Sequence, residues 1–546
     1  MGLKRYTASA DTTITNAFRS NLTKRGTGSN MGRADSLEIF SIYGQESSGS
    51  SELSRALLKF PSDAIAADRA AGTIPASGSV NFYLRMFNAV TPFTLPRNFT
   101  LQVQAVSGAH SSDTPKQYDF NWQEGSGIDM DNYTDVTRDG DGTNWINMGS
   151  SSADGVVKWG SQGSISAGGA FFNDISSSFT QTFDDGTEDL EVDITPLIEQ
   201  FVNSSGNILG SKTDYGIGVK LTGSQEAFVA AADAITAVPA NTDGARRSYY
   251  TKKFFARSSE FFFKRPVIEA RWEDTKKDDR GNFFYSSSLS TAEENLHTLF
   301  LYNYHRGVLR NIPNVTDNVV YVAFFSGSAD NTAPSGSKLI LVKDGTHVAD
   351  DSKLYATGGL SSETGIYTRS VALTAAATPL TTIFDVWHGS YVISNENTLI
   401  QLATASFEPK KISLSLQNPS TQFVTNITNL KPSYSRSEVA RFRVFTRQKD
   451  WNPTIYTKAV ATTPPFIVES GSFSVARVID GVQAIPFGTG SDLHTLMSFD
   501  VSGSYFDLDM SMLEPGYAYK VKFAYYNGSV GDWREQPQEF KFRVED

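Results

Sequence analysis

The last eight residues, EFKFRVED (Glu539–Asp546), alternate Phe540, Phe542 and Val544 with charged partners. Successive side chains of an extended strand point to opposite faces, so this pattern turns one apolar face inward and one charged face to water. Toward the N-terminus the same kind of run recurs: YKVKFAYY, FRVFTR, SKLILVKDG, NVVYVAFF, PVIEARW, YGIGVKL, FTLQVQAV and SVNFYLRMF. Each is short, rich in β-branched and aromatic residues, and bounded by Gly, Ser, Asn, Asp or Pro, which is the signature of sandwich strands. The expectation is an all-β chain of three β-sandwiches in series, over residues 1–275, 276–410 and 411–546. The breaks are read at the polar, turn-rich DTKKDDRGNFFYSSS (Asp274–Ser288), a linker on this reading, and at FEPKK (Phe407–Lys411).

One segment departs from the strand pattern. In VDITPLIEQFVNSSG (Val192–Gly206), Thr195 suits a helix N-cap, Pro196 suits the first helical position, and Leu197, Ile198, Phe201 and Val202 share one face. A single short helix is therefore expected in the first sandwich.

A chain of 546 residues exceeds one hydrophobic core, and its 39% hydrophobic content, with 37 Phe and 22 Tyr, is enough to fill several. The formal net charge of −11 comes from interspersed residues and repels phosphate backbones, which argues against nucleic acid as a partner. A local basic stretch, RSEVARFRVFTRQK (Arg436–Lys449), reads as a strand pointing alternate basic groups to solvent. There is no cysteine, so disulfides, thiolate metal sites and a Cys nucleophile are excluded together. The start, MGLKRYTASADTT, lacks the apolar run of a secretory signal, and Tyr6 breaks the myristoylation pattern. No apolar stretch is long enough for a membrane-spanning helix. The expected product is made in a cytoplasm, and any exterior location follows from assembly or lysis.

Signatures that tie spacing to chemistry are missing: no G-x-S-x-G, no H-E-x-x-H, no phosphate-cradling loop ending in Gly-Lys. The six histidines are scattered, and His297 and His305 would lie about 27 Å apart along one extended strand. Paired carboxylates for glycoside hydrolysis need no local motif, so 59 acidic residues carry no information on that point. The reading is that the chain is not an enzyme. NWQEGSGIDMDN (Asn121–Asn132) opens an acidic loop in which Asp129, Asp131, Asp135, Asp139 and Asp141 fall within thirteen positions. Two readings are open there: a solvated loop, or a calcium site in which Asp139, Asp141 and Asn144 of DGDGTN supply oxygens. Otherwise no cofactor is expected.

Several features of the first 270 residues occur in a particular order: ADTTITNAF (Ala10–Phe18), GTGSNMGRADSLEIFSI (Gly26–Ile42), SRALLKF (Ser54–Phe60), GSVNFYLRMFNA (Gly78–Ala89), Trp122-Gln-Glu-Gly-Ser-Gly127, Trp145, Gly168-Gly-Ala-Phe171, Tyr215-Gly-Ile-Gly-Val219 and Arg265-Pro-Val-Ile-Glu-Ala270. This order resembles the DNRLRE-type β-sandwich modules, which are related to carbohydrate-binding modules. Ser54-Arg55 stands where that family has a charged cluster, which separates fold from ligand. The resemblance implies a structural Trp122 covering the core edge. It also implies a carbohydrate-binding role, for which Trp145, Trp159 and Tyr133 are the candidate aromatic platforms; the competing reading places these rings in a core.

Near the C-terminus, LEPGYAYKVKF (Leu513–Phe523) resembles the Leu-x-Pro-Gly turn and tyrosine corner of fibronectin type III and immunoglobulin-like domains. The resemblance implies a buried Tyr519 whose hydroxyl bonds back to nearby backbone, with Tyr517 its exposed neighbour. LFLYNYHRGVLRNI (Leu299–Ile312) and RFRVFTRQKDWNPTIYTKA (Arg441–Ala459) are similar to virion structural proteins of contractile-tailed marine cyanophages. That similarity implies a virion component on the tail, baseplate or neck, with other virion proteins as partners and copies of itself arranged as a homo-oligomer or around a symmetric particle. Host-surface glycan is a further expected contact. The alternatives are a carbohydrate-binding adhesin and, behind it, a polysaccharide-degrading enzyme.

Overall fold

The structure is a computed structural model. It describes residues 1–44, 51–91, 97–107, 121–130, 142–151, 155–161, 164–165, 167–232, 238–346, 349–361, 363–375, 380–393, 396–410, 422–449, 465–528 and 530–546. The protein is an all-β chain of several sandwiches, divided into two compact units, Gly2–Trp272 and Glu273–Asp546, the latter including Met1.

In the first unit, a four-stranded antiparallel sheet runs in the order Gly2–Thr7, Val267–Trp272, Asn81–Met86 and Leu190–Asp193. It faces a larger sheet ordered Ser178–Phe183, Phe99–Ala105, Ile217–Leu221, Glu52–Lys59, Ser36–Ile42 and Tyr249–Phe255, with Ala10–Thr15 also paired to Glu52–Lys59. Between them lies a core that includes Phe82, Leu84, Leu101, Val103, Phe183, Ile217 and Ile268. Period-two alternation explains this directly: Phe82, Leu84 and Met86 point to the core while Tyr83 and Arg85 point away.

The other face of the small sheet carries charge rather than oil. Glu269, fully buried, accepts from Arg5 Nε at 2.8 Å, Arg85 Nη1 at 2.9 Å and Arg271 Nη2 at 2.6 Å. Glu191 takes Arg271 Nη1 at 2.8 Å and Arg85 Nε at 3.2 Å. The network therefore crosses all four strands. Burial alone would raise the Glu269 pKa; the Arg85, Arg5 and Arg271 charges outweigh it and hold the carboxyl well below its ordinary range.

The expected helix is present as Thr195–Val202, with Leu197 and Ile198 buried. Its N-cap is Ile194 and not Thr195, because Thr195 Oγ1 is taken by Phe82 N and Asp193. A second helix, Ser62–Ala70, follows Pro61 and buries only Ile65.

The second unit begins with a seven-stranded sheet ordered His297–Tyr302, Ile366–Val371, Ala356–Leu360, Val320–Gly327, Ile383–Ile393 and Glu396–Phe407, with Pro334–Ser335 on Val320–Gly327. Ala356–Gly358 pairs with Val320–Val322, and Gly359–Leu360 with Tyr367 and Thr368. One strand thus joins two sheet portions around a core of Leu299, Val322, Phe324, Trp387 and Phe407. His297 and His305 lie on different strands, not on one. Further described strands of this unit form two facing sheets. One is ordered Phe423–Ile427, Val439–Gln448, Gly503–Asp509 and Ser498–Asp500; the other is ordered Ser433–Ser435, Phe540–Glu545, Ala518–Asn527, Gly471–Arg477 and Gln483–Ile485, with Asp532–Glu535 on Ala518–Asn527. Stacked rings fill the space between, with the Phe473 and Phe506 centroids 4.0 Å apart. In the closing strand Phe542 and Val544 are buried and their charged neighbours exposed.

Asp274–Ser288 is not a free linker. Phe283 is fully buried, Lys277 bridges to Phe499, Phe284 bridges to Lys410, and Arg280 forms ion pairs with Asp278 at 2.6 Å and Asp385 at 2.7 Å. Among the described residues no helix is long and apolar enough to cross a membrane.

Candidate functional site

The tryptophan segments of the first unit build a second apolar layer, on the far side of the large sheet from the main core. Leu53 and Leu57 project to that side from Glu52–Lys59 and are covered by Trp122, Trp145, Met148, Val157 and Trp159. Trp145 and Trp159 are fully buried, so neither presents a face to a sugar, and the platform reading is corrected for both. Their placement has a local cause. Trp159 Nε1 donates to Asn144 O at 2.8 Å and Trp122 Nε1 to Tyr215 O at 2.8 Å, which satisfies the indole polar edge while the ring is buried. Tyr133 lies outside the described residues.

Arg55, from the stretch that departs from the DNRLRE pattern, is part of this layer. Its guanidinium sits 5.3 Å from the Trp145 ring centroid, forms a two-pronged pair with Glu226 at 2.8 Å each, and donates to Gly168 O at 2.6 Å. Glu124 in the Trp-Gln-Glu segment is equally occupied: it accepts from Asp11 N at 3.0 Å and from Arg257 at 3.0 and 2.6 Å. Asn30 fastens the same loop, donating to Glu124 O and Thr143 O and accepting from Gly127 N. These contacts are structural ties rather than a reactive constellation.

Asn144 is corrected as a calcium ligand. Its Oδ1 accepts from Ile146 N and Asn147 N, its carbonyl holds Trp159, and the residue is fully buried. Asp139 and Asp141 lie outside the described residues. Among the described residues no group of three or more His, Asp or Glu is placed to hold a metal ion.

In the second unit Tyr519 is 2% exposed and its hydroxyl donates to Glu514 O at 2.8 Å, five residues upstream. Tyr517 is half-buried under the Arg477 guanidinium, 4.5 Å from its ring centroid, rather than free in solvent. The basic strand Val439–Gln448 does alternate, and its outward Arg441 and Arg443 are paired with Asp507 and Asp500.

A cleft of about 620 Å³ within the second unit is lined among others by Asp279, Phe284, Tyr285, Glu294, His297 and Glu469. Burial pushes the Asp279 carboxyl up to about 7 despite a 2.6 Å bond from Thr298 N, and brings the His297 imidazole down to about 4. His297 Nε2 accepts from Phe284 N at 3.2 Å, and its Nδ1 stands 3.9 Å from Asp279, beyond hydrogen-bond reach. The cleft offers carboxylates and half-buried rings to a polar ligand. Sequence reasoning missed it because Asp279 sits in a run that reads as linker and His297 in a run that reads as strand.

No protein-family model and no curated protein matches this chain. Among solved structures it is similar to a crystal structure of a Salmonella alpha-2-macroglobulin mutant, at 10% identity and a TM-score of 0.13, over 56% of this chain and 18% of that one. The match thus spans under a fifth of that protein's length.

Proposed function

We propose that this chain is a non-enzymatic structural component on the exterior of a phage particle, attached at the tail, baseplate or neck and present in repeated copies. The observation that carries this reading is the use made of its chemistry-bearing side chains. Arg55, Glu124, Glu226, Arg257, Glu269 and Arg280 each serve an internal tie that fixes a sandwich or a loop. Serial sandwiches of this kind supply reach and contact surface. The resemblance read in Leu299–Ile312 and Arg441–Ala459 to cyanophage virion proteins is what suggests this setting. Quantitative mass spectrometry of purified virions is the test: the chain is expected in a copy number that is a multiple of the particle's rotational axis. Its absence from virions would overturn the reading.

A second reading, glycan adhesion, has its own observation: the cleft that sets Phe284 and Tyr285 beside Asp279, Glu294 and Glu469. Aromatic faces with flanking polar groups suit a sugar's alternating apolar and hydroxyl surfaces. Saturable binding on a glycan array, lost on Phe284→Ala, would favour the adhesin; no binding by the wild type removes it.

A further inference from the structure

The last strand of the seven-stranded sheet, Glu396–Phe407, pairs on one side with Ile383–Ile393. Among the described residues no backbone group bonds to its other side. Roughly half of its N–H and C=O groups therefore point outward without a strand to receive them. Natural sheets blunt such an edge with lysine, proline or a covering segment. Here ENTLIQLATASF has a single ionisable residue, Glu396, at its first position, and no proline. One blunting device is present: the register shifts between Trp387/Ala403 and His388/Gln401, so Leu402 is an extra, bulged residue. The bulge leaves the stretch Asn397–Gln401 as a regular edge. Val320 pairs with Gly389, so the hairpin beyond Gly389 also runs past the strand on its inner side. Asn397, Thr398, Leu399, Ile400 and Gln401 are all exposed, Leu399 at 40% and Ile400 at 41%.

We propose that Asn397–Gln401 is a self-association edge, and that its occupant is the same strand of a second copy of this chain, added antiparallel about a two-fold axis at Leu399. Two observations choose a second copy over another partner. The first is self-complementarity. A two-fold normal to an antiparallel pair passes through a directly opposed residue pair, which sets Leu399 against itself. Thr398 then opposes Ile400, β-branched against β-branched, and Asn397 opposes Gln401, amide against amide. No pair in this register opposes like charges, the arrangement that destabilises a ladder. The second is charge: the chain carries a formal −11, and two copies meet here over five uncharged residues, without like-charge repulsion at the contact. The inference draws on this strand alone and stands or falls independently of the particle reading.

Sedimentation analysis of the full chain tests it, with Leu399→Lys and Leu399→Glu variants. The wild type is expected to dimerise as concentration rises toward millimolar. Each variant alone should be monomeric, because opposed Cβ atoms in such a pair lie about 5 Å apart and like charges there repel. An equimolar mixture of the two variants should regain a dimer, with Lys facing Glu. That recovery distinguishes a surface effect from misfolding. A wild type that stays monomeric at millimolar concentration, a dimer indifferent to Leu399→Lys, or a mixture that fails to associate would each overturn the proposal.

Discussion

Asp279 and His297 face one another across 3.9 Å with their proton affinities pushed in opposite directions, the acid up to about 7 and the imidazole down to about 4. Both shifts come from burial, which disfavours the charged form of either group. For Asp279 the folded state holds its proton at a pH where an unfolded chain has lost it. The resulting stabilisation is complete below the ordinary carboxylate range and is lost as pH rises through about 7. His297 acts in the opposite sense between about 4 and its ordinary value, so the wild-type profile alone does not separate the two. Comparison with Asp279→Asn does. The variant is expected to gain on the wild type by a few kcal/mol between pH 5 and 8, read as the difference in the second unit's unfolding midpoints. A constant difference across that range would show that Asp279 ionises normally. At this scale the sequence was least informative. Nothing in DTKKDDRGN distinguishes a solvated aspartate from one held in a cleft shared with residues far along the chain, such as Glu469. The two buried tryptophans teach the same lesson, since an indole ring looks alike in sequence whether it floors a ligand site or fills a core.

Gly218 shows an element constrained by a distant neighbour. It lies mid-strand in Ile217–Leu221, paired on both sides, where glycine is ordinarily unfavourable. A Cβ built there would fall 2.0 Å from Phe171 Cε1, so the ring occupies the space a side chain would need. Gly218→Ala should therefore destabilise the first unit by about 1–3 kcal/mol through overpacking. In a double-mutant cycle, Phe171→Ala should relieve most of that cost; strict additivity would place the strain elsewhere. Two motifs that the sequence shows as separate, Gly168-Gly-Ala-Phe171 and Tyr215-Gly-Ile-Gly-Val219, thus meet as one contact. Strands were legible because period two survives wherever one face is buried, as in Phe542 and Val544. The helix Thr195–Val202 was legible because two of its apolar positions are buried on one face. Ser62–Ala70 was not, since Ile65 alone is buried there and the segment offers no periodic stripe.

For the whole molecule, the all-β class follows from local runs repeated end to end, whereas the division at Trp272 and Glu273 depends on which strands pair. Val267–Trp272 closes the first unit by lying between Gly2–Thr7 and Asn81–Met86. Residues Gly2–Trp272 expressed alone should accordingly melt in one cooperative step, with near-ultraviolet dichroism from buried Trp122, Trp145 and Trp159; a gradual, featureless melt would contradict a self-sufficient core. The same closing strand governs how this unit bears tension. Gly2 sits directly opposite Trp272, so a pull applied through those two residues loads the ladder at one end and peels it rung by rung, instead of shearing all rungs at once. Peeling is the weak direction for hydrogen bonds alone. At the fourth rung, however, Arg5 faces Glu269, and that carboxylate is tied through Arg85 and Arg271 to every strand of the sheet. A tear that starts at the edge meets a lateral anchor there, and to pass it must break a buried charge cluster rather than one more backbone bond.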